Sequence, residues 1–255
     1  MSSFSPESRV HTISELADIA ADQQPPVRVL DLCCGAGGVG FALDQLPNLR
    51  FIGVDKRDYS DTYPGEFIQA DVSELTLESL GLDRKVDLVW ASPPCRAYTK
   101  LAHIHYDDPT EEYPTFDDLN IRAVAKRLGV EYVIENVPTC PDLRNPTGVN
   151  GPALGLDLIF KRHFETSFPL PEYLDTPDED ALKFEQAGTQ ALADAKEIPN
   201  FGKESVRAAI PPRYVGFVIA HCPSLDEFSP WDAPEAYAMN LSPQDQTTIT
   251  TYPHQ

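Results

Sequence analysis

Five short apolar runs punctuate the first half of the chain: residues 27–32 (VRVLDL), 50–55 (RFIGVD), 66–71 (EFIQAD), 86–92 (VDLVWAS) and 130–136 (VEYVIEN). Runs that are nearly continuous, rather than alternating, predict strands buried on both faces, as in a parallel sheet. Between them, residues 39–46 (VGFALDQL) and 117–128 (DDLNIRAVAKRL) carry helical spacing. Strands alternating with helices predict an α/β fold with a doubly wound, mostly parallel sheet. In such sheets ligands bind beyond the carboxyl ends of the strands. Here those ends carry Asp31 with a glycine turn, Asp55, Asp71, Ser92 to Cys95, and Glu135 with Asn136.

Outside this block the pattern weakens. Residues 10–22 predict a short amphipathic helix, broken by Gln23 to Pro26. Residues 160–168 predict a strand with its charges on one face. Residues 171–197 are strongly acidic and read as a solvated insertion, part helical over 178–195. In AAIPPRYVGFVIA (208–220) a proline pair opens a helix with Val215, Val218 and Ile219 on its apolar face. Residues 223–255 hold no Lys or Arg and read as a disordered or surface-hugging tail.

Composition changes the picture chiefly through charge. The 255 residues carry a net charge of −20, with 42% hydrophobic residues, enough for a core. In ordinary salt such a chain repels nucleic acid. In concentrated salt the Debye length falls to about 3 Å at 1 M, self-repulsion costs little, and acidity ceases to exclude DNA. A plain acidic surface and a halophilic protein both fit, and the second is the favoured reading. No apolar run approaches a membrane span and residues 1–22 do not resemble a signal peptide. Five cysteines without CxxC spacing predict neither a disulfide framework nor a zinc site, so a reducing cytoplasm is expected. His103 and His105 stand two apart, but no third metal ligand is evident.

Candidate chemistry gathers at the strand ends. In DLCCGAGG the glycines let a ligand approach the backbone, although the loop is neither GxxxxGK[ST] nor a full GxGxxG. Asp55 follows Gly37 by eighteen residues, close to the spacing at which a carboxylate reaches ribose hydroxyls. The plainer reading is a glycine turn with helix-capping aspartates. Cys95 ends ASPPC, where two prolines stiffen the backbone before a thiol; it reads as a nucleophile or as an inert buried cysteine. Glu135 ends an apolar strand, where burial raises a carboxyl pKa; a salt-bridged or capping role fits equally.

DLCCGAGG, the acids at 55 and 71, SPPC and ENV, in this order and at these intervals, resemble the DNA (cytosine-5) methyltransferase family. KRHFET (161–166) resembles its late arginine motif and residues 208–220 its final motif, so the likeness covers roughly residues 27–220, closest to small phage and archaeal members with a minimal target-recognition region. The resemblance implies a Rossmann-like class I methyltransferase fold and S-adenosylmethionine as cofactor. Gly35 and Gly37 would face its methionine part, Asp55 its ribose and Asp71 its adenine. Asp31, Cys33, Ala36, Gly38, Lys56, Val72, Ser92 and Pro93 would complete the pocket. Cys95 would attack C6 of a flipped cytosine, Glu135 would hold N3 and the exocyclic amine, and Arg162 would hold O2. Pro94, Arg96, Lys100 and Asn136 would meet the substrate. DNA is the implied partner, with no membrane. The implied division is an N-terminal helix and linker (1–26), a catalytic domain (27–166), a short acidic insertion (167–204), a closing element (205–222) and a tail (223–255).

Three departures qualify the likeness. Phe160 stands where the late motif usually has a first arginine, which puts support for the cysteine loop in doubt. Arg96 stands where the family usually has glutamine. The acidic segment before the final motif is too short for a large recognition domain, so specificity is expected to be short, lax or supplied by an accessory partner. The alternatives are an RNA or free-nucleotide cytosine methyltransferase, a catalytically silent binding protein of the same shape, and an exocyclic-amine methyltransferase. The last prefers an aromatic residue at position 95. A role in restriction–modification is a further expectation.

Overall fold

The apolar runs form strands whose side chains point alternately to the two faces of one sheet, as the pleat requires. The computed structural model describes residues 26–99, 102–171 and 180–228. The expected helix at 10–22, Lys100 and residues 229–255 lie outside them. In chain order the elements are β1 (Val27–Leu32), α1 (Gly38–Leu43), β2 (Arg50–Asp55), β3 (Glu66–Gln69), β4 (Val86–Ala91) and α2 (Ala102–His105). Then come α3 (Ile121–Leu128), β5 (Gly129–Asn136), β6 (Thr147–Val149), β7 (Leu158–Ile159) and β8 (Arg162–Thr166). The described chain closes with β9 (Leu182–Lys183), α4 (Thr189–Lys196), α5 (Lys203–Ala208) and α6 (Pro212–Ile219).

Seven strands build the main sheet in the order β3-β2-β1-β4-β5-β8-β6; β7 and β9 pair separately. The first five are parallel, and β8 runs antiparallel to β5 and β6. This is the expected doubly wound, mostly parallel Rossmann-like sheet. The chain steps outward from β1 to β3, then crosses back to β4, which leaves a switch point between β1 and β4. Leu32 pairs with Val54 and Ala91, and Ala91 with Ile134, so the carboxyl ends of β1, β2, β4 and β5 finish level.

The two cores explain why the runs are continuous. Leu88 and Trp90 of β4 face the layer of α1 and α6, packed with Val29, Leu43, Val133 and Tyr214. Val89 and Ala91 face the opposite layer with Leu30, Val54, Val124, Leu128 and Ile134. Each large side chain so buried contributes about 1.5–3 kcal/mol. Trp90 meets Phe164 edge to face at 5.9 Å between ring centres, tying β8 to the centre of the sheet.

Helix α3 begins at Ile121, four residues later than the spacing predicts. The Asp118 carboxylate accepts from the Thr115 N–H at 2.8 Å and its hydroxyl at 2.7 Å, and Asn120 is left-handed at φ 47°. These local bonds hold residues 115–120 in a turn. From Ile121 onward, Ile121, Val124, Ala125 and Leu128 form the buried stripe. β3 stops at Gln69 because Asp71 caps the next turn, accepting from Ser73 N at 3.0 Å.

Arg122 of α3 clasps the buried Glu165 of β8 with two parallel bonds of 2.6 and 2.7 Å. Burial pushes the Glu165 carboxyl up, but the bonds from Arg122 and from the Arg144 N–H outweigh it and hold it low. Arg122→Met is therefore expected to strand a buried carboxylate and to cost about 3 kcal/mol, read as a lower urea midpoint at unchanged slope.

The acidic segment is less solvated than its charge suggests. In α4, Leu192, Ala193 and Lys196 are buried in the core. No helix among the described residues is long and apolar enough to cross a membrane.

Candidate active site

The loops after β1, β4 and β5 converge with α5 around a cavity of about 260 Å³. After β1 the chain turns sharply. Cys33 (φ 55°), Gly35 (φ 54°) and Gly37 (φ 101°) are all left-handed. A Cβ on Gly37 would stand 2.6 Å from Cδ of Pro64, and one on Gly38 2.8 Å from Cβ of Ala209. Those two positions thus hold glycine because the turn and its neighbours leave no room. Asp55 secures the turn from β2: its Oδ2 accepts from Gly35 N at 3.0 Å and its Oδ1 from Arg57 N at 2.9 Å.

Asp31, at the end of β1, is fully buried and faces the cavity. The Tyr63 hydroxyl donates to its Oδ2 at 3.1 Å and the Gly40 N–H also faces the carboxylate, while Oδ1 has no hydrogen-bond partner among the described residues. Burial lifts this carboxyl to about 8; the Tyr63 bond opposes the shift and the Asp55 charge adds to it. Burial likewise pushes the Cys33 and Cys34 thiols up, aided by the neighbouring aspartates, so both stay protonated and act as packing groups.

After β4, Asn136 donates to the Pro93 carbonyl at 2.9 Å and holds the Pro93-Pro94-Cys95 corner against β5. Cys95 sits at φ −89°, ψ 0°, half-buried in the cavity wall. Beyond it the Tyr98 hydroxyl donates to Asp142 at 2.6 Å and accepts from Phe116 N at 3.0 Å. Thr139 donates to the Tyr98 carbonyl at 2.6 Å. The loop is thereby clamped three residues from the thiol.

The antiparallel β8 starts where β5 ends, which brings Arg162 to Glu135. Arg162 Nε lies 3.0 Å from Glu135 Oε1, both side chains largely buried. The N–H is not aligned on that oxygen, so it is left as a buried donor. Burial pushes the Glu135 carboxyl up, with Arg162 and then Ser92 pulling it back. Burial also raises the Cys95 thiol; Arg162 lowers it and Glu135 raises it again.

Of the residues expected at the site, Asp31, Cys33, Gly35, Ala36, Gly38, Ser92, Pro93, Pro94, Cys95, Arg96, Glu135, Asn136 and Arg162 line this cavity. Gly37, Asp55, Lys56, Asp71 and Val72 do not; they shape the turn and the adjoining edge, where Lys56 Nζ lies 3.7 Å from Asp71. Ser205, Ala208, Ala209 and Ile210 belong to the expected closing element (205–222), whereas Arg57, Tyr59, Tyr63, Phe201 and Glu204 were not anticipated. Their segments carry no periodic signal, and only the fold brings them here. Phe160 is a buried core residue: its amide donates to Asn150 Oδ1 at 3.0 Å, its carbonyl accepts from the Tyr214 hydroxyl, and Arg162 stacks on its ring at 4.0 Å.

Among solved structures, the chain is similar to a DNA modification methyltransferase encoded within an E. coli prophage. The two are 17% identical, with a TM-score of 0.43 over 62% of this chain and 53% of that one. It is similar to the S. pombe Dnmt2 methyltransferase at 18% identity and a TM-score of 0.38, over 62% of this chain and 54% of that one. It also resembles a TehB-like SAM-dependent methyltransferase from Corynebacterium glutamicum at 17% identity and a TM-score of 0.27, over 47% and 60%. The chain therefore spans little more than half the length of these structures. No protein-family model and no curated protein matches it.

Proposed function

We propose that the chain transfers a methyl group from S-adenosylmethionine to C5 of cytosine in DNA, with Cys95 as the nucleophile. The observation that carries this reading is the convergence of Cys95, Glu135 and Arg162 on one cavity with the β1 turn. The residues also suit the cofactor. The partnerless Oδ1 of Asp31 is a buried acceptor suited to the cation of an amino-acid moiety. Gly35 leaves open space beside its backbone, with nothing within 4 Å of where a Cβ would stand. Asp55 and Asp71 would meet the nucleoside from the adjoining edge. When bound, S-adenosylmethionine supplies an electrophilic methyl group.

The chain's own residues then have definable tasks. C5 of cytosine is a weak nucleophile and becomes enamine-like only when a thiolate adds to C6. Arg162 opposes the rise in the Cys95 pKa and so favours the thiolate. Glu135, lifted by burial, is suited to share its proton with N3, which takes up the electron pair displaced by addition at C6. The misaligned Arg162 N–H is a ready donor for the O2 carbonyl. After methyl transfer, loss of the C5 proton and expulsion of Cys95 restore the ring. Because the cavity wall buries Cys95 beyond reach of a stacked base, the cytosine must be flipped or single-stranded.

The test is a covalent trap. DNA containing 5-fluorocytosine, with S-adenosylmethionine, in low and in multimolar KCl, is expected to give a denaturant-resistant adduct that maps to Cys95. Fluorine cannot leave as a proton, so the complex stalls. Adduct with RNA but not DNA would reassign the substrate. No adduct at any salt, with S-adenosylhomocysteine still bound, would identify a catalytically silent relative.

A further inference from the structure

Lys196 closes α4, in the segment whose acidity predicts a solvated surface, yet its side chain is fully buried. Its Nζ lies 2.9 Å from the carbonyl of Val206, 3.1 Å from that of Arg207 and 2.7 Å from that of Ala209. Three carbonyl acceptors engage three N–H bonds, the full complement of an ammonium and one more than a neutral amine has. Burial and the nearby Arg162 push its pKa down and Glu135 pulls it up, but the three acceptors require the charged form. The ammonium also lies 3.8 Å from the centre of the Phe160 ring.

The three carbonyls belong to the end of α5 and the residue after it. Helix α5 has six residues and no side-chain N-cap. A helix so short has little stability of its own, and its last carbonyls lack intrahelical partners. Yet this segment supplies a wall of the cavity through Ser205, Ala208, Ala209 and Ile210. That wall presses on the β1 turn: a Cβ on Gly38 would stand 2.9 Å from the Ile210 amide nitrogen.

We infer that Lys196 is a positioning residue whose ammonium ties down the 206–209 backbone and so sets the gap between α5 and the glycine turn in which the ligand sits. The ligand's identity rests on the function proposed above; the positioning role does not.

Lys196→Met preserves length and apolar bulk while removing all three donors. The expected result is a tenfold or greater rise in the KM for S-adenosylmethionine with kcat changed less than threefold. Hydrogen exchange should quicken at amides 205–210 and stay unchanged in β1 and β4. A lowered Tm with unchanged KM would show a merely structural lysine and overturn the inference. If the wild type neither binds S-adenosylhomocysteine nor methylates, the functional reading fails. Exchange alone then decides: equal protection at 205–210 in both proteins overturns the inference, and loss confined there supports it. If the variant does not fold, spectra of ¹⁵N-lysine-labelled wild type at neutral pH decide. A slowly exchanging ammonium signal is expected, and its absence overturns the inference.

Discussion

Cys95→Ser is expected to lower methyl transfer by about 10⁴-fold or more while leaving S-adenosylhomocysteine affinity within about twofold of wild type. The substitution is nearly isosteric. Pro93, Pro94 and the Asn136 bond to the Pro93 carbonyl hold the corner whatever atom ends the side chain. What changes is ionisation. A thiol raised by burial still yields some thiolate beside Arg162; a serine hydroxyl in the same place yields essentially none. Initial rates with tritium-labelled methyl donor and calorimetry with S-adenosylhomocysteine separate the two effects. Full activity in the serine variant would refute a covalent route through C6. Loss of both activity and binding would instead mean that the thiol supports the cofactor cavity.

The sheet was legible because its physics is local. A strand buried on both faces must be apolar at most positions, and in VRVLDL and VDLVWA only Arg28, Asp31 and Asp87 interrupt the run. The ends of those runs then located Asp31, Ser92 to Cys95 and Glu135 without knowledge of the topology. Helix boundaries were less legible, because the Asp118–Thr115 side-chain bonds and the left-handed backbone of Asn120 oppose α3 in ways that periodicity does not register. The far wall of the cavity was legible only through the closing element at 205–222; the contacts that support it were not. Tyr63 reaches Asp31 from an irregular loop thirty-two residues on, and Lys196 acts on carbonyls ten to thirteen residues away. In a segment dominated by acids, one buried lysine cannot be told from a solvated one. Phe160 illustrates the reverse case. Against the motif it reads as a missing arginine, but in the fold it is the ring on which both Arg162 and Lys196 rest.

Asp31 carries the sharpest pH signature. In the free protein burial holds its carboxyl at about 8, so near pH 7 it is mostly protonated. A bound amino-acid cation beside the partnerless Oδ1 requires the carboxylate, so binding below pH 8 must expel a proton. Affinity for S-adenosylhomocysteine is therefore expected to rise about tenfold per pH unit from pH 6 towards pH 8. Above that the carboxyl is already ionised in the free protein, so the gain levels off near pH 8. Stability without ligand should move the other way. The raised native pKa means the folded chain holds this proton more tightly than the unfolded one, so this contribution is complete at low pH. It is lost as pH rises from the ordinary carboxylate range through about 8. Ligand reverses that loss by pairing the charge. Asp31→Asn removes both effects: affinity at pH 8 should drop about 100-fold, or about 2.7 kcal/mol, and its dependence on pH below 8 should vanish. Calorimetry across pH 6 to 8.5 in buffers of differing ionisation enthalpy counts the released proton directly. A wild-type affinity that is flat over this range, with no proton released, would mean that Asp31 does not meet the ligand's cation.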